Sequence, residues 1–414
     1  MSQLHAIVVG AGIVGVCSAL QLQRKGIRVT LMERDEPGAG ASYGNASVLA
    51  SESVIPISMP GMTRKVPGML LDPMGPLRIR WSYLPRLAPW LWRFVMAGRK
   101  TEAERITNDL ARILDGCIED FRPLLKAADA ENLLVERGWI GAYLSDSALE
   151  NALYATELQK RNGVSVKKMS TSELRELEPA LSRNIAGGYY YPGVAHVVDS
   201  HKLTVRLAEH FLASGGTLLK ESAKDLLKDH KGTVYAVATD SDEHSCDALV
   251  IAAGAWSRDL VRKAGVRLPL DTERGYHYTI KQPGITLSRP VYVPETGLAC
   301  TPLDESIRLA GTVEFGGLKA SPDWKRAEVL ASRGKELFPE LDTNHGSSWM
   351  GFRPSMPDSL PVIGPATPAS NAYLAFGHGH LGLTLAARTG RMISEMICGE
   401  PVCVDPYPYR SMRF

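Results

Sequence analysis

Residues 5–33 read HAIVVGAGIVGVCSALQLQRKGIRVTLME, and this stretch decides the fold. Its first five residues form a short apolar, β-branched run, which predicts a buried parallel strand. The glycine turn GAGIVG at residues 10–15 opens an apolar helical pattern, and residues 27–32 predict a second strand that ends at Glu33. A strand, a glycine turn, a helix and a second strand closed by an acid together predict the βαβ unit of a Rossmann-like fold.

The glycine turn and the acid have the residue types that a dinucleotide site needs. Gly10 permits the tight turn, Gly12 lets the backbone approach a pyrophosphate, and Gly15 lets the helix pack closely on the strand. The free N–H groups at the helix N-terminus favour a phosphate, and Glu33 can accept hydrogen bonds from ribose hydroxyls. Because this acid repels a 2′-phosphate, the motif disfavours NADP. By itself the motif does not distinguish NAD from FAD.

Composition and charge exclude several other classes of protein. The 414 residues carry a formal net charge of +2, and no long run of one charge points to nucleic acid. The six cysteines are scattered without a C-x-x-C pair or a Cys–His cluster, which predicts neither a disulfide framework nor a metal site. The N-terminus does not resemble a secretory signal, and no stretch of ~18 or more uncharged apolar residues predicts a membrane span. We therefore expect a cytoplasmic protein.

Motifs spread along the whole chain carry a resemblance to a known family. They are GAGIVG with Glu33-Arg34, ASYGNAS at 41–47, LVIAAGAWS at 249–257, RGYHYT at 274–279, GFRPSMPDSLPVIG at 351–364 and GHGHLGLTLAARTG at 377–390. The chain resembles the D-amino-acid oxidase-like flavoproteins, most closely the small-subunit type of the bacterial D-amino-acid dehydrogenases. The resemblance implies that the cofactor is FAD, held by the glycine turn, the acid, the SYGNA-type loop and the C-terminal loop that begins GHG.

The residues predicted to bind FAD lie in these motifs. They are Gly10, Ala11, Gly12, Ile13, Val14, Gly15, Glu33, Arg34, Ser42, Gly44, Asn45, Ala46, Ala253, Gly254, Trp256, Gly377, His378, Gly379, His380, Leu381, Gly382, Leu383 and Thr384. One position departs from the family pattern, in which a small apolar residue, often Val, contacts adenine through its backbone. The nearby residues here are Ala223 and Lys224, and the sequence leaves that contact unassigned.

A second glycine motif, GHGHLG at residues 377–382, offers an alternative site for NAD(P). That hypothesis needs a further strand ending in an acid, and only the proline-rich tail at 399–414 follows the predicted helix. We therefore predict no NAD(P) site. The motif instead indicates a helix N-terminus aimed at the flavin ring, where its dipole stabilises negative charge on the reduced flavin.

The chain alternates between two kinds of pattern, which predicts two interleaved domains. Segments 1–50, 145–260 and 345–414 carry α/β signals and are assigned to a Rossmann-like FAD-binding domain. Segments 51–144 and 261–344 are assigned to an α+β substrate-binding domain with an antiparallel sheet. The predicted fold class is therefore α/β, with an α+β substrate domain.

Local patterns add two expectations about helices. Residues 101–128 predict one long amphipathic helix, opened by a capping box of Thr101 and Glu104. A second capping box, Ser147 with Glu150, predicts the start of another helix.

Residues 60–100 hold eight Lys or Arg residues and a single acid, together with Trp81, Trp90 and Trp92. One interpretation is an interfacial patch that touches anionic lipid at the inner face of the plasma membrane and brings the flavin near a quinone. The other is a cover over the substrate domain with its arginines on the solvent side. We favour the cover, since Trp and Leu at such spacing most often belong to a core.

An α-amino acid substrate needs a fixed cation for its carboxylate, and Arg353 is the first candidate because Arg pairs bidentately with carboxylates. The resemblance places the matching Arg at the substrate carboxylate. Tyr276 is the second candidate, as a hydroxyl donor to the same carboxylate, although an aromatic residue in a half-buried strand explains it equally well. His277 points to the opposite face of that strand. His378 or His380 is expected to contact the substrate amine or the flavin, with simple packing as an equal alternative.

The resemblance and these residues predict oxidative deamination of a D-amino or imino acid, by hydride transfer from the substrate Cα to flavin N5. Water converts the imine to the 2-oxo acid and ammonia, and the electrons are expected to pass to a quinone-type acceptor. One alternative is a glycine, sarcosine, proline or hydroxyproline oxidase that reduces O₂. A second is a subunit that holds FAD only to pass electrons within a complex.

Overall fold

The computed structural model describes residues 3–62, 68, 72 and 74–414. In chain order, its strands are β1 His5–Val9, β2 Arg28–Met32, β3 Val48–Leu49, β4 Leu77–Ile79, β5 Leu134–Val135, β6 Trp139–Tyr143, β7 Lys167–Met169, β8 Gly187–Tyr191, β9 Ala195–Val197, β10 Thr217–Leu219, β11 Asp225–Lys228, β12 Val234–Ala238, β13 Glu243–Ser245, β14 Ala248–Ile251, β15 Asp271–Lys281, β16 Val291–Val293, β17 Leu298–Pro302, β18 Ser306–Phe315, β19 Gly346–Ser355, β20 Val362–Pro365 and β21 Ala372–Phe376. The α-helices of the described residues are α1 Ile13–Arg24, α2 Leu84–Ala97, α3 Lys100–Leu114, α4 Arg122–Ala127, α5 Asp146–Asn151, α6 Leu153–Arg161, α7 Thr171–Leu177, α8 Ser200–Ala213, α9 Ser257–Lys263, α10 Lys325–Leu337 and α11 Ala386–Ile397.

The predicted βαβ unit forms the centre of a six-stranded sheet in the order β10-β2-β1-β14-β21-β20. The first five of these strands run parallel, and β20 is antiparallel to β21. Alternate side chains of β1 enter different cores: Ala6 and Val8 face the core that contains α1, whereas Ile7 and Val9 face the core that contains Leu249 and Ile251 of β14. Burial on both faces explains why β1 is apolar at successive positions.

The second large sheet has nine strands in the order β19-β15-β18-β17-β16-β6-β8-β7, with β4 paired to β18. Its long strands β15, β18 and β19 are antiparallel neighbours. Apolar side chains of this sheet, such as Ile280 and Leu309, pack with Leu330 and Leu337 of α10. This antiparallel sheet beside a mainly parallel one agrees with the predicted pair of architectures.

The sheets do not follow the predicted domain boundaries everywhere. Strands β7 and β8, which were assigned with 145–260 to the FAD-binding domain, pair within the nine-stranded sheet. Strand β19, assigned with 345–414, pairs with β15 of the same sheet. Apolar periodicity predicts that a strand exists, whereas its partner strand depends on long-range register, so the assignment of these strands was wrong.

The helix predictions need two corrections. The long helix predicted over 101–128 is divided into α3 and α4, because Gly116 adopts a φ of +69° between them and Pro123 lies in the first turn of α4. Helix α3 starts at Lys100 with Arg99 as its N-cap residue, so Thr101 lies inside the first turn and forms no capping box. The second cap is Ser145 instead of Ser147, since its hydroxyl accepts a hydrogen bond from the N–H of Ala148.

The structure supports each interpretation of the basic aromatic stretch at different residues. Residues 63–67, 69–71 and 73 of this stretch lie outside the described part of the chain. Trp90 of α2 is buried with Leu87, Ile79 and Phe315, as the cover hypothesis predicts. Trp81 and Trp92, however, are 71% and 64% exposed. Within the part of the chain that the structure describes, no helix is both long enough and apolar enough to cross a membrane.

Candidate functional site

Several sequence motifs meet at one edge of the six-stranded sheet. The glycine turn follows β1, Glu33 follows β2, the segment from Ala253 to Trp256 follows β14, and the GHG loop follows β21. Because these strands are parallel, their carboxyl ends share one edge, which is where open α/β sheets bind ligands. A cavity of about 1680 Å³ opens there and reaches the nine-stranded sheet.

The glycine turn has the close contacts that its sequence predicts. Gly10 has a φ of +106°, and a Cβ on it would lie 2.6 Å from the carbonyl oxygen of Ala252. A Cβ on Gly15 would lie 1.8 Å from the carbonyl oxygen of Gly10, so helix α1 can approach the turn only without a side chain there. Gly12 lines the cavity. A Cβ on Gly12 would lie 3.3 Å from the Ser42 hydroxyl oxygen, which is a tight contact.

Glu33 holds the turn to the end of β2. Its Oε2 accepts a hydrogen bond from the N–H of Ala11 at 2.7 Å, and its Oε1 accepts from the N–H groups of Arg34 and Asp35 at 2.9 and 3.2 Å. A carboxylate has about four lone-pair sites, so this group can still accept hydrogen bonds from a ligand. Beside it, the Arg34 guanidinium lies over the Trp256 ring, 4.3 Å from its centroid, and both residues line the cavity.

The loop at residues 41–47 lies against the start of α1. The Ser42 hydroxyl accepts a hydrogen bond from the N–H of Ile13 at 2.9 Å, which supplies the cap that Gly12 cannot. Asn45 braces the loop, because its Oδ1 accepts from the N–H of Ser47 at 2.8 Å. Ser42, Gly44, Asn45 and Ala46 all line the cavity.

Three buried side chains of the nine-stranded sheet hold this loop from the other side. Thr301 donates to the carbonyl of Ala46 at 2.7 Å, Arg308 donates to the carbonyl of Asn45 at 2.9 Å, and His277 donates from Nδ1 to the carbonyl of Gly44 at 2.9 Å. Burial lowers the pKa of Arg308 to about 10 and that of His277 to about 3. We call these three residues the clamp. The sequence patterns did not predict it, apart from placing His277 on the face opposite Tyr276. An arginine inside an apolar strand, Arg308, was the feature that could have indicated it.

The GHG loop separates into residues that face the cavity and residues that support it. His378, Gly379, His380, Gly382 and Leu383 line the cavity. The His378 ring turns inward, where its Nε2 shares a hydrogen bond of 2.9 Å with the Thr389 hydroxyl. Burial lowers the pKa of His378 to about 3, so its ring is neutral.

Some predicted cofactor residues do not reach the cavity at all. Thr384 is fully buried, and its hydroxyl oxygen accepts from the N–H of Ala50 at 3.0 Å. The regular helix begins at Ala386, after a 3-10 turn at Gly379–Leu381, so it does not start within the GHGHLG motif. The predicted residues that do not line the cavity are Ala11, Gly15, Gly377, Leu381 and Thr384.

Arg353 lines the cavity from the nine-stranded sheet, on β19 opposite Glu273 of β15. Its guanidinium crosses Gly275, where a Cβ would stand 2.5 Å from Nη2, so this glycine makes room for it. Within the described residues, Arg353 has no hydrogen bond and no acid within ion-pair distance, although Glu273 acts on it through space. Ser355 donates to Glu273 at 2.5 Å, and burial raises the pKa of Glu273.

The role predicted for Tyr276 does not fit its hydrogen bonds. Its hydroxyl donates to Oε2 of Glu314 at 2.6 Å and accepts from the N–H of Asp323 at 3.0 Å. Arg274 also donates to this carboxylate, at 2.9 Å, and Arg80 donates to its other oxygen at 2.6 Å. Since a phenol has one proton, Tyr276 in this arrangement cannot also donate to a substrate carboxylate.

His380 opens onto the cavity near Arg353. His380 is exposed to the open cavity, and desolvation by the surrounding protein together with the Arg353 guanidinium lowers its pKa, so the imidazole is neutral at physiological pH. A neutral imidazole can accept a hydrogen bond at one nitrogen while donating from the other.

The unassigned segment near Ala223 also borders the cavity, beside Glu33. The N–H of Lys224 donates to the carbonyl of Ala238 at 2.8 Å, and its ammonium pairs with Asp240. Ala223, by contrast, has no backbone hydrogen bond to any described residue. One cavity therefore contains the backbone of Ala223, the Glu33 carboxylate, the glycine turn and the Arg353 guanidinium. This set of groups fits an extended dinucleotide with a small carboxylic acid beyond it.

Comparison with known proteins agrees with this geometry. The family model described as FAD dependent oxidoreductase matches residues 5–396. A Bradyrhizobium diazoefficiens protein named D-amino-acid oxidase is 39% identical over 417 residues, which cover 99% of each chain. A Vibrio vulnificus protein named D-amino acid dehydrogenase is 29% identical and covers 99% of this chain and 100% of its own.

Solved structures show the same fold. Glycine oxidase from Geobacillus kaustophilus superposes with a TM-score of 0.75 at 22% identity, over 100% of both chains. L-Proline dehydrogenase from P. horikoshii also gives a TM-score of 0.75, at 19% identity, over 100% of this chain and 98% of its own. The predicted fold class and family resemblance are confirmed.

Proposed function

This chain belongs to the FAD-dependent oxidoreductase family, and from that premise we propose that it catalyses the oxidative deamination of a D-amino acid. The substrate loses a hydride from Cα and a proton from nitrogen, and water converts the imine to a 2-oxo acid and ammonia. Bound FAD supplies the acceptor for the hydride, at flavin N5. The protein itself has to bind the amino acid, orient it and keep its amine neutral. Relatives named for D-amino acids support this substrate class.

The observation that carries the proposal is the guanidinium of Arg353 in the cavity wall, which pairs with no acid among the described residues. A partly buried cation without an acid in contact is costly unless a ligand neutralises it. A substrate carboxylate would do so through two parallel hydrogen bonds, which fix orientation as well as binding. Gly275, under the guanidinium, keeps that face open.

His380 is the residue that we propose for the substrate amine. Its imidazole is neutral because desolvation by the surrounding protein and Arg353 lower its pKa to about 4. It can therefore accept a hydrogen bond from the substrate nitrogen while Arg353 holds the carboxylate.

FAD would lie along the cavity-facing residues of the predicted set. The glycine turn and Ser42 would hold the pyrophosphate, and Glu33 the ribose. We propose Ala223 for the backbone contact to adenine, since its N–H and carbonyl are free of described partners whereas the N–H of Lys224 is bonded to Ala238. The loop from Gly379 to Leu383 would face the flavin ring.

For the electron acceptor, our proposal remains a membrane quinone reached by peripheral contact with the inner face of the plasma membrane. The exposure of Trp81 and Trp92 on the basic aromatic stretch supports this proposal. Exposed tryptophans beside basic residues are typical of segments that bind a membrane surface. The relative named as an oxidase favours O₂ as the competing acceptor.

Anaerobic mixing of the FAD-loaded protein with panels of D- and L-amino acids, glycine, sarcosine and proline tests the function. We expect D-amino acids to bleach the flavin absorbance and their L-enantiomers not to do so. If no D-amino acid or D-imino acid bleaches it, the proposed function is wrong. Under air, stoichiometric hydrogen peroxide would identify O₂ as the acceptor and contradict the quinone; its absence, with reoxidation by a soluble quinone, supports it.

A further inference from the structure

The cavity continues past Arg353 along a wall of aromatic rings. The Tyr292 and Trp139 rings stack with centroids 5.4 Å apart and planes 5° apart, and Trp139 meets Tyr191 edge-on at 6.2 Å. All three rings line the cavity. Tyr292 and Arg353 line the same cavity, and Tyr292 is close enough to raise the pKa of the Arg353 guanidinium, so this wall borders the proposed carboxylate site.

Glu52 stands at the other end of the wall. It is 3% exposed, and it lines the cavity with Tyr191 and Gln159. The Ser53 hydroxyl donates to its Oε1 at 3.2 Å, but its Oε2 has no hydrogen-bond partner. Among the described residues, no Lys, Arg or His lies within ion-pair distance of it.

A buried carboxyl without a cation is an expensive feature unless something pairs with it. Burial raises the pKa of Glu52 to about 8, which shows how poorly the surrounding protein compensates a negative charge there. The terminal torsion of a glutamate is soft, so a small rotation can present either oxygen to a ligand in the cavity.

We propose that Glu52 selects D-amino acids with a cationic side chain, such as D-lysine and D-arginine. This inference rests on the proposed function and adds the side-chain class. Arg353 would hold the α-carboxylate, the aromatic wall would pack the methylene groups of the side chain, and Glu52 would pair with the ammonium or guanidinium. The wall also suits a cation, because aromatic faces attract positive charge. Pairing with the cation would ionise Glu52, and its proton would pass to solvent. An apolar side chain would leave the Glu52 carboxyl protonated and without a partner, and an acidic one would find no cation there.

The direct test compares D-lysine with D-norleucine, which has an alkyl chain of similar length without the ammonium. The wild-type enzyme should have the higher kcat/KM for D-lysine. Glu52→Gln preserves shape and removes the charge, and we expect it to lower the D-lysine to D-norleucine ratio of kcat/KM by about tenfold or more, as for a lost charged hydrogen bond. Glu178→Gln is the matched control, since Glu178 is 1% exposed but bonds to Ser288 away from the cavity. It should leave the ratio unchanged.

Two results would overturn the inference: a wild-type preference for D-norleucine, or an unchanged ratio in Glu52→Gln, which includes an equal loss for both substrates. The last result would assign Glu52 a general structural or proton-transfer role.

A binding measurement needs no turnover and no variant. 6-Aminohexanoate has the carboxylate and terminal ammonium of lysine but no α-amine to oxidise, and hexanoate lacks the ammonium. Titration calorimetry on the FAD-loaded wild type should show 6-aminohexanoate binding at least tenfold more tightly, and equal or weaker binding contradicts the proposal. If D-norleucine bleaches the flavin but D-lysine does not, only this inference fails. If no D-amino acid bleaches it, the proposed function fails while the calorimetry still tests Glu52.

Discussion

At the scale of single residues, chemistry in the cavity depends on which polar groups already have partners. The Tyr276 hydroxyl is occupied by Glu314, and the His378 ring is occupied by Thr389. Arg353 and His380 remain available, and they are near enough for the guanidinium to lower the pKa of the imidazole. Partner availability therefore reduces the predicted catalytic set to Arg353 and His380.

Arg353→Lys keeps the positive charge but loses the planar pair of donors. Charged hydrogen bonds contribute about 1.5–3 kcal/mol, so we expect kcat/KM for a D-amino acid to fall about 10- to 100-fold, with changes in both KM and kcat because orientation is lost with binding. Steady-state kinetics at saturating FAD measures this effect. Arg333→Lys, on α10 and away from the cavity, is the control. Unchanged kinetics in Arg353→Lys would remove Arg353 from the carboxylate site.

At the scale of elements, the loop at 41–47 is held between two structures. Ser42 joins it to α1, and Thr301, Arg308 and His277 join it to the nine-stranded sheet. Each partner on that sheet donates to a loop carbonyl, so these three contacts hold the backbone of the loop. The clamp gives the loop a fixed shape before any ligand binds, which lowers the ordering cost of binding.

Thr301→Val tests the clamp, because valine has nearly the same shape and no hydroxyl. The Ala46 carbonyl would lose its 2.7 Å hydrogen bond inside the protein. We expect the free energy of unfolding of the FAD-loaded protein to fall by about 1–3 kcal/mol. Thr217→Val, on exposed β10, should change it by less than about 0.5 kcal/mol. Equal values for both variants in urea denaturation would show that the clamp contributes nothing to stability.

At the scale of the whole molecule, buried neutral histidines couple stability to pH. His196 of β9 is 2% exposed, and β9 pairs with both β3 and β5. Burial, with a contribution from Arg137, lowers the pKa of His196 from 6.5 to about 4. Between these values the unfolded chain binds a proton that the folded chain does not. The contribution of His196 is therefore complete above pH 6.5 and is lost as the pH falls toward 4.

His196→Gln removes this group, so the variant should lose about 2 kcal/mol less stability than wild type between pH 7 and pH 5. Buried acids such as Glu52, whose pKa is raised, stabilise the folded protein as the pH falls, which opposes the effect of His196. Comparing the variant with wild type removes their contribution, because both proteins contain these acids. Urea denaturation of the FAD-loaded proteins at the two pH values measures it. His230→Gln, at an exposed position, should behave like wild type. An identical pH response in His196→Gln would mean that folding does not lower the pKa of His196.

The sequence by itself determined the βαβ unit, the family and the choice of Arg353. These depend on local properties, namely apolar periodicity over one strand or helix, the space that a glycine leaves, and short motifs. Only the tertiary structure decided that β7, β8 and β19 join the nine-stranded sheet, that the Tyr276 hydroxyl is bonded to Glu314, and that Glu52 lies in the cavity wall with no cation beside it among the described residues. The physical reason is that a polar group's availability depends on the register and packing of strands far apart in the chain, which local patterns do not contain.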